Sequence, residues 1–295
     1  MYTQFFGNYL LSNGIVTQEQ LFSAIQKQAK TRMKLGTLAI HAGYMTAQEV
    51  DQVVIEQTHQ DKKFGELAIH FGYMTSDQVI ELLKEQSPEF LLLGQILVED
   101  GILSHVQLEE IMIDYRSKNE MIDLDMTIET QEGLSRLFDN FFIISETPVS
   151  DYERMYIELL FNNFIRFIGD DFTPLSVEVC TVFPASHCVA QKVNGSHAFT
   201  TYINMDTDTA IEFASRYVGE PFPDFDEYVE ASLEDFLNLH NGLYVVNISN
   251  DFSDECSISA PEATTNGILE FTQTAYQFSV MYSFGLIHFI ISTEN

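Results

Sequence analysis

The chain has 295 residues, of which 45% are hydrophobic, with 24 Phe, 13 Tyr and no Trp. This is a globular composition of about two domains' length. The formal net charge of −30 repels nucleic acid and anionic lipid and supplies no basic patch, which argues against DNA, RNA or membrane-surface binding. Three cysteines, Cys180, Cys188 and Cys256, are an odd number without metal-ligand spacing, so neither a disulfide framework nor a zinc site is expected.

The charge is uneven. Residues 1–118 carry 9 basic and 15 acidic side chains, whereas residues 119–295 carry 5 and 29. No basic stretch leads into an apolar run at the N-terminus, and the longest apolar runs, such as Phe284–Ile291, are too short to span a bilayer. The expectation is a reduced, cytoplasmic protein without membrane insertion.

The first 118 residues are a four-fold repeat. Gly7, Gly36, Gly65 and Gly94 stand 29 residues apart, and a second glycine follows each by seven: Gly14, Gly43, Gly72 and Gly101. Three further on stands Thr17, Thr46, Thr75 or Ser104. Apolar pairs then follow, Leu21/Ile25, Val50/Val54, Val79/Leu83 and Leu108/Met112, and the units close on Gln28, Gln57, Gln86 and Tyr115. Each unit reads as a short helix ending at a C-cap glycine, then a longer amphipathic helix opened by a Thr or Ser N-cap. One such unit cannot bury its apolar face alone, so neighbouring units must pack together. His41 and His70 recur at one repeat position and are expected to pack rather than to bind metal.

Lys34-Leu35-Gly36 through Gln57, and Lys63-Phe64-Gly65 through Gln86, resemble the MshEN or type II secretion ATPase N-terminal family, whose motif opens on Arg-Leu-Gly and closes on Gln. In that family a tandem pair of motifs can bind cyclic di-GMP. The resemblance therefore marks Lys34, Leu35, Gly36, Lys63, Phe64 and Gly65 as cyclic di-GMP positions. Lysine stands where the family has arginine, and its compact ammonium cannot fork around or stack on guanine. A purely structural or protein-binding helical module is the other reading.

Residues 119–150 form a joint with a short helical stretch near 134–142. The second domain, 151–295, opens with a helix over 151–168, N-capped by Ser150, stopped at Gly169, and apolar on Met155, Leu159, Phe161 or Asn162, and Ile165. Strands follow at 176–182, 188–193 and 197–203, the last two flanking the hairpin signal Asn194-Gly195. Asp206 caps a helix over 207–218 ended by Gly219. A further helix has Val229, Leu233, Phe236, Leu237, His240 and Tyr244 on one face and Ala231, Asp235, Asn238 and Gly242 on the other. Two long strands, 267–274 and 278–292, complete the chain. The fold class is thus multidomain: an all-α repeat module, then an α+β domain with helices packed on an antiparallel sheet.

The segment Gly195–Gly219 resembles the hairpin and helix of CheX in the CheC/CheX/FliY chemotaxis phosphatases. The spacing of Asp235, Asn238 and Pro261 follows that family's Glu, Asn and Pro, with Gly242 as the small residue after the Asn. Asp235 replaces the Glu, one methylene shorter, and Ala231 stands where the family has Asp or Ser. The resemblance implies hydrolysis of the aspartyl phosphate on a CheY-like response regulator. Asn238 would orient the attacking water, Asp235 would pair with the partner's lysine, and the Mg2+ would be the partner's own; the chain needs no cofactor itself. It also implies a homodimer through the sheet, for which the apolar run 278–292 is suited, although a central strand reads the same. A degenerate site that binds the regulator without dephosphorylating it, or a scaffold, is the alternative. Other enzyme signatures (GxSxG, a phosphate-binding loop, HExxH) are missing, and Cys188 beside His187 reads as a buried thiol on a strand.

Overall fold

In each repeat the second glycine lets the chain leave its first helix through the left-handed region that a Cβ disfavours. Gly14, Gly43, Gly72 and Gly101 have φ of 66, 70, 74 and 71°. Three residues later the Thr or Ser takes up its capping role. Thr17 exchanges hydrogen bonds with Gln20, Thr46 with Glu49, Thr75 with Gln78, and Ser104 with Gln107. The capping box is therefore complete in all four repeats. The computed structural model describes residues 2–28, 30–60, 62–84, 89–123, 150–175, 177–252 and 255–293. The helical stretch expected near 134–142 lies outside them.

The described residues of the repeats form helix pairs: α1 (Tyr2–Ser12) and α2 (Gln18–Gln28), α3 (Leu35–His41) and α4 (Ala47–Gln57), α5 (Phe64–His70) and α6 (Ser76–Lys84), α7 (Glu89–Glu99) and α8 (His105–Asp123). Gly36, Gly65 and Gly94 are not turn residues. They allow close helix approach: an added Cβ would lie 3.0 Å from Val50 at Gly36, 3.1 Å from Val79 at Gly65 and 2.6 Å from Leu108 at Gly94. The chain divides into two units. One holds α2–α8 and the end of α1; the other holds everything from residue 150 onward together with Thr3–Asn8.

The second unit has α9 (Asp151–Phe167), β1 (Thr173–Pro174), β2 (Glu178–Asn194), β3 (Phe199–Met205), α10 (Thr207–Val218), α11 (Glu227–Phe252), β4 (Ser257–Ile258), β5 (Glu262–Tyr282) and β6 (Gly285–Thr293). All pairings are antiparallel, and β2, β3, β6 and β5 pair in a closed circuit. The fold is α+β with packed helices, as its element order dictates. Its core is aromatic: Phe164 of α9 lies 5.7 Å from Phe236 of α11 and 5.4 Å from Phe289 of β6, centroid to centroid.

Several local expectations are corrected. The buried face of α9 is Tyr156, Ile157, Leu160, Phe161, Asn163 and Phe164, whereas Met155, Leu159 and Ile165 are only half-buried and Asn162 is exposed. Apolar periodicity misplaced that face because the core admits Asn163, whose Nδ2 lies 2.9 Å from Nδ1 of buried His240. Strands 176–182 and 188–193 are parts of one long strand, β2. The run 278–292 is split by a tight turn at Ser283-Phe284, with Tyr282 facing Gly285. At Asn194-Gly195 the hairpin forms, but its last paired residues are Val193 and Phe199, so the loop is longer than a two-residue turn. Gly195 lacks a positive φ. A Cβ there would lie 2.5 Å from Cys256 Sγ, so this glycine serves a close approach rather than a left-handed turn.

Candidate functional site

The helix α11 sits between the sheet and solvent. Asp226 starts it by accepting from the amides of Tyr228 and Val229 (3.0 and 3.1 Å). Val229, Leu233, Phe236, Leu237, His240 and Tyr244 are buried, as the 3.6-residue period requires. On the opposite face Ala231, Asp235 and Asn238 are exposed. Ala231 and Gly242 bracket the polar pair and add little bulk, so this stretch of helix is open to close approach by a large surface.

Asn238 is oriented from below. Its Oδ1 accepts from Gln191 Nε2 of β2 at 2.8 Å, and the same Nε2 donates to the backbone carbonyl of Ser259 at 2.8 Å. Gln191 Oε1 accepts from Asn241 Nδ2 (2.8 Å), whose other proton goes to Thr201 Oγ1 (3.0 Å). Tyr156 Oη donates to Asn241 Oδ1 at 2.8 Å, and Thr201 Oγ1 donates to the Gln191 carbonyl at 3.2 Å. Gln191 is 1% exposed, Asn241 and Thr201 0%.

The polarity of this chain is forced. The Ser259 carbonyl can only accept, so the Gln191 amide must face it, and Asn238 must then present its oxygen inward. Its Nδ2 is thereby turned outward with both protons available. Burial makes each of these bonds costly to break. The same Gln191 ties Asn238 to the Ser259 carbonyl, two residues before Pro261.

Asp235 is held differently. Tyr217 of α10 donates to Asp235 Oδ2 at 2.6 Å. The ring of Tyr217 is set by edge contacts with Phe236 and Phe167, at 5.7 and 6.0 Å. Partial burial, with Asp235 adding to it, raises the Tyr217 hydroxyl pKa, so it remains a donor. The two side chains therefore share a helix face but rest on separate supports. Neither belongs to the cavities lined by Tyr152, Tyr156, His197 and Phe199, or by Ile40, His41 and Met112. No group of three His, Cys, Asp or Glu able to hold a metal ion occurs among the described residues.

The sequence singles out Asp235, Asn238 and Pro261, but not Gln191, Asn241, Thr201 and Tyr217, which hold the first two. One signal was present: Gln191 falls on the inward face of β2 between Val189 and Val193, both 1% exposed. Cys188 and His187 do not form a dyad. The thiol is buried and its pKa pushed up to about 12, while His187 Nε2 meets Thr207 Oγ1 at 2.9 Å and its ring stacks on Phe225.

In the helical unit, the six residues marked by the repeat motif fall into two groups. Gly36 lies against Phe64, and Gly65 lies reciprocally against Leu35, with a Cβ at either glycine 3.1 Å from the opposing side chain. These four residues join the second and third repeats. Lys34 and Lys63 are exposed, and Lys34 Nζ pairs with Glu99 at 2.8 Å. His41 packs against Phe90 at 5.6 Å, whereas His70 is exposed.

No protein-family model matches the chain, and no curated protein sequence matches it. Solved structures to which it is similar are chemotaxis proteins of the CheX and CheC type. They include CheX from Desulfovibrio desulfuricans, at 10% identity over 49% of this chain and 100% of that one, with a TM-score of 0.44. A CheC-like superfamily protein from Shewanella sp. PV-4 is 14% identical over 50% of this chain and 100% of that one, with a TM-score of 0.45. The CheX–CheY–BeF3–Mg complex from Borrelia burgdorferi is 18% identical over 49% and 99%, with a TM-score of 0.42. No helix among the described residues is long and apolar enough to cross a membrane.

Proposed function

We propose that this is a cytoplasmic signalling protein whose α+β unit hydrolyses the aspartyl phosphate of a CheY-like response regulator, with the helical unit as its docking or sensing arm. The observation that carries this reading is the fixed Asn238 carboxamide, aimed outward from an open helix face by a buried polar chain. Phosphoryl transfer needs a water held in line with the scissile bond more than it needs covalent chemistry. An immobilised carboxamide, donating from Nδ2 and accepting at the second lone pair of Oδ1, can hold such a water. The regulator supplies the phosphoryl group and its Mg2+; Asp235 supplies a carboxylate for the regulator's lysine. The test is the decay of phosphorylated CheY-type regulator with and without the protein, and no acceleration by the native chain ends the reading.

The Tyr217 contact makes Asp235 the weaker member. Its carboxylate accepts from the Tyr217 phenol and must leave or share it to reach a partner ammonium. Asp235→Glu adds the missing methylene, and a misplacement of about 1 Å costs up to a hundredfold in rate. Asp235→Glu is therefore expected to raise the dephosphorylation rate by about tenfold or more. An unchanged or lower rate would show that reach is not what limits Asp235.

For the helical unit, a cyclic di-GMP site would rest on Lys34 and Lys63 alone, since Leu35, Gly36, Phe64 and Gly65 are engaged between repeats. Calorimetric titration of the full chain with cyclic di-GMP tests this. Binding that is lost in Lys34→Ala supports the assignment, and binding that is absent or unaffected removes it.

A further inference from the structure

The second and fourth repeats meet through an approximate two-fold. Residues 58 apart in number occupy equivalent places, and three of the polar contacts between the two repeats follow that symmetry. Thr37 Oγ1 meets its own equivalent, Gln95, at 3.3 Å. The Ala47 amide donates to Glu109 at 3.0 Å, and reciprocally His105, the equivalent of Ala47, meets Asp51, the equivalent of Glu109, at 2.6 Å. Near this axis Thr37 and Gln95 are each 3% exposed, Ile40 7% and Ala47 0%.

The third repeat keeps the same face uncovered. Asn8, Thr37 and Gln95 are buried at their shared position, whereas Glu66 is exposed there. Ile69, the equivalent of Ile40, is 37% exposed, and Ser76, the equivalent of Ala47, is exposed. The residue content of this face has also changed. Ile80 stands where the paired repeats have Asp51 and Glu109, and it is 49% exposed, with Leu83 beside it at 69%. An isoleucine in place of a carboxylate at an exposed helix position gains nothing from solvent and gains from a covering apolar surface.

We propose that this face of α5 and α6 is covered by the same face of a second copy of the chain, in the two-fold packing that the second and fourth repeats already use within one chain. An isologous contact needs a surface that complements itself, and the internal pair shows that this repeat geometry supplies one. In the homotypic version Ile80 of each copy lies over Ser76 of the other, replacing the internal His105–Asp51 and Ala47–Glu109 pairs by apolar contact. The equivalent of the Lys34 amide bond to Gln95 (2.6 Å) sets Lys63 of one copy beside Glu66 of the other, an opposite-charge pair.

The test uses full-length protein with one cysteine added at the axis. Glu66→Cys, at an exposed position, is expected to give a disulfide-linked dimer on mild oxidation much faster than Glu110→Cys, an exposed position on the fourth repeat. Adding Ile80→Arg should abolish that difference while leaving the helical circular dichroism unchanged. Cross-linking of Glu66→Cys no faster than the control, or unaffected by Ile80→Arg, would overturn the proposal.

Discussion

Replacing Asn238 by alanine is expected to reduce the dephosphorylation rate by at least about a hundredfold, the usual cost of removing one preorganised hydrogen-bonding group from a transition state. The helix should be unaffected, because Asn238 is exposed and the backbone of α11 is anchored by Phe236, Leu237 and His240 beneath it. Gln191→Leu should reproduce much of the loss from a distance. It frees the Asn238 carboxamide to rotate and leaves one proton of buried Asn241 unpaired, at about 1–3 kcal/mol of stability. A general structural defect would lower thermal stability and regulator binding together. A positioning defect lowers the single-turnover rate with regulator affinity retained, and that split is the readout.

The second large effect is on stability against pH. His240 is fully buried; Asn163 Nδ2 lies 2.9 Å from Nδ1, and Nε2 has no partner among the described residues. Burial depresses its pKa from 6.5 to about 3, so the folded chain holds it neutral. Below pH 6.5 the unfolded chain takes up a proton that the folded chain cannot. Stability from this group is therefore complete above that pH and is lost as the pH falls toward 3, by about 1.4 kcal/mol per unit. His288, also depressed by burial, acts in the same direction. Denaturant titrations at pH 6.5 and 4.5 should show this slope in the native chain and a clearly smaller one in His240→Gln, which keeps an acceptor for Asn163. Equal slopes would mean that His240 takes its proton without unfolding the domain.

What could be read from the sequence divides along a physical line. The repeat was legible because glycine at a left-handed cap and Thr or Ser at an N-cap are local requirements, repeated at a fixed interval. The two faces of α11 were legible for a similar reason: one buried stripe at helical spacing decides both. The α9 face was not, because Asn163 is a polar residue in the core and its partner, His240, lies 77 residues away. The support of Asn238 was hidden in the same way. Its bonds join residues separated by 47, 50, 40 and 85 positions, which no local pattern records. Gly36 and Gly65 illustrate the converse: their spacing was plain, but only the structure shows that Phe64 and Leu35 occupy the space their missing side chains leave.

The central claim is that Asn238 acts on a partner's phosphoryl group from a fixed orientation. The most direct measurement is a single-turnover decay of a phosphorylated CheY-type regulator, with native protein and Asn238→Ala each in saturating excess. Faster decay with the native chain, and decay at the regulator's own intrinsic rate with Asn238→Ala despite undiminished binding, is the predicted result. Equal acceleration by both proteins would contradict it.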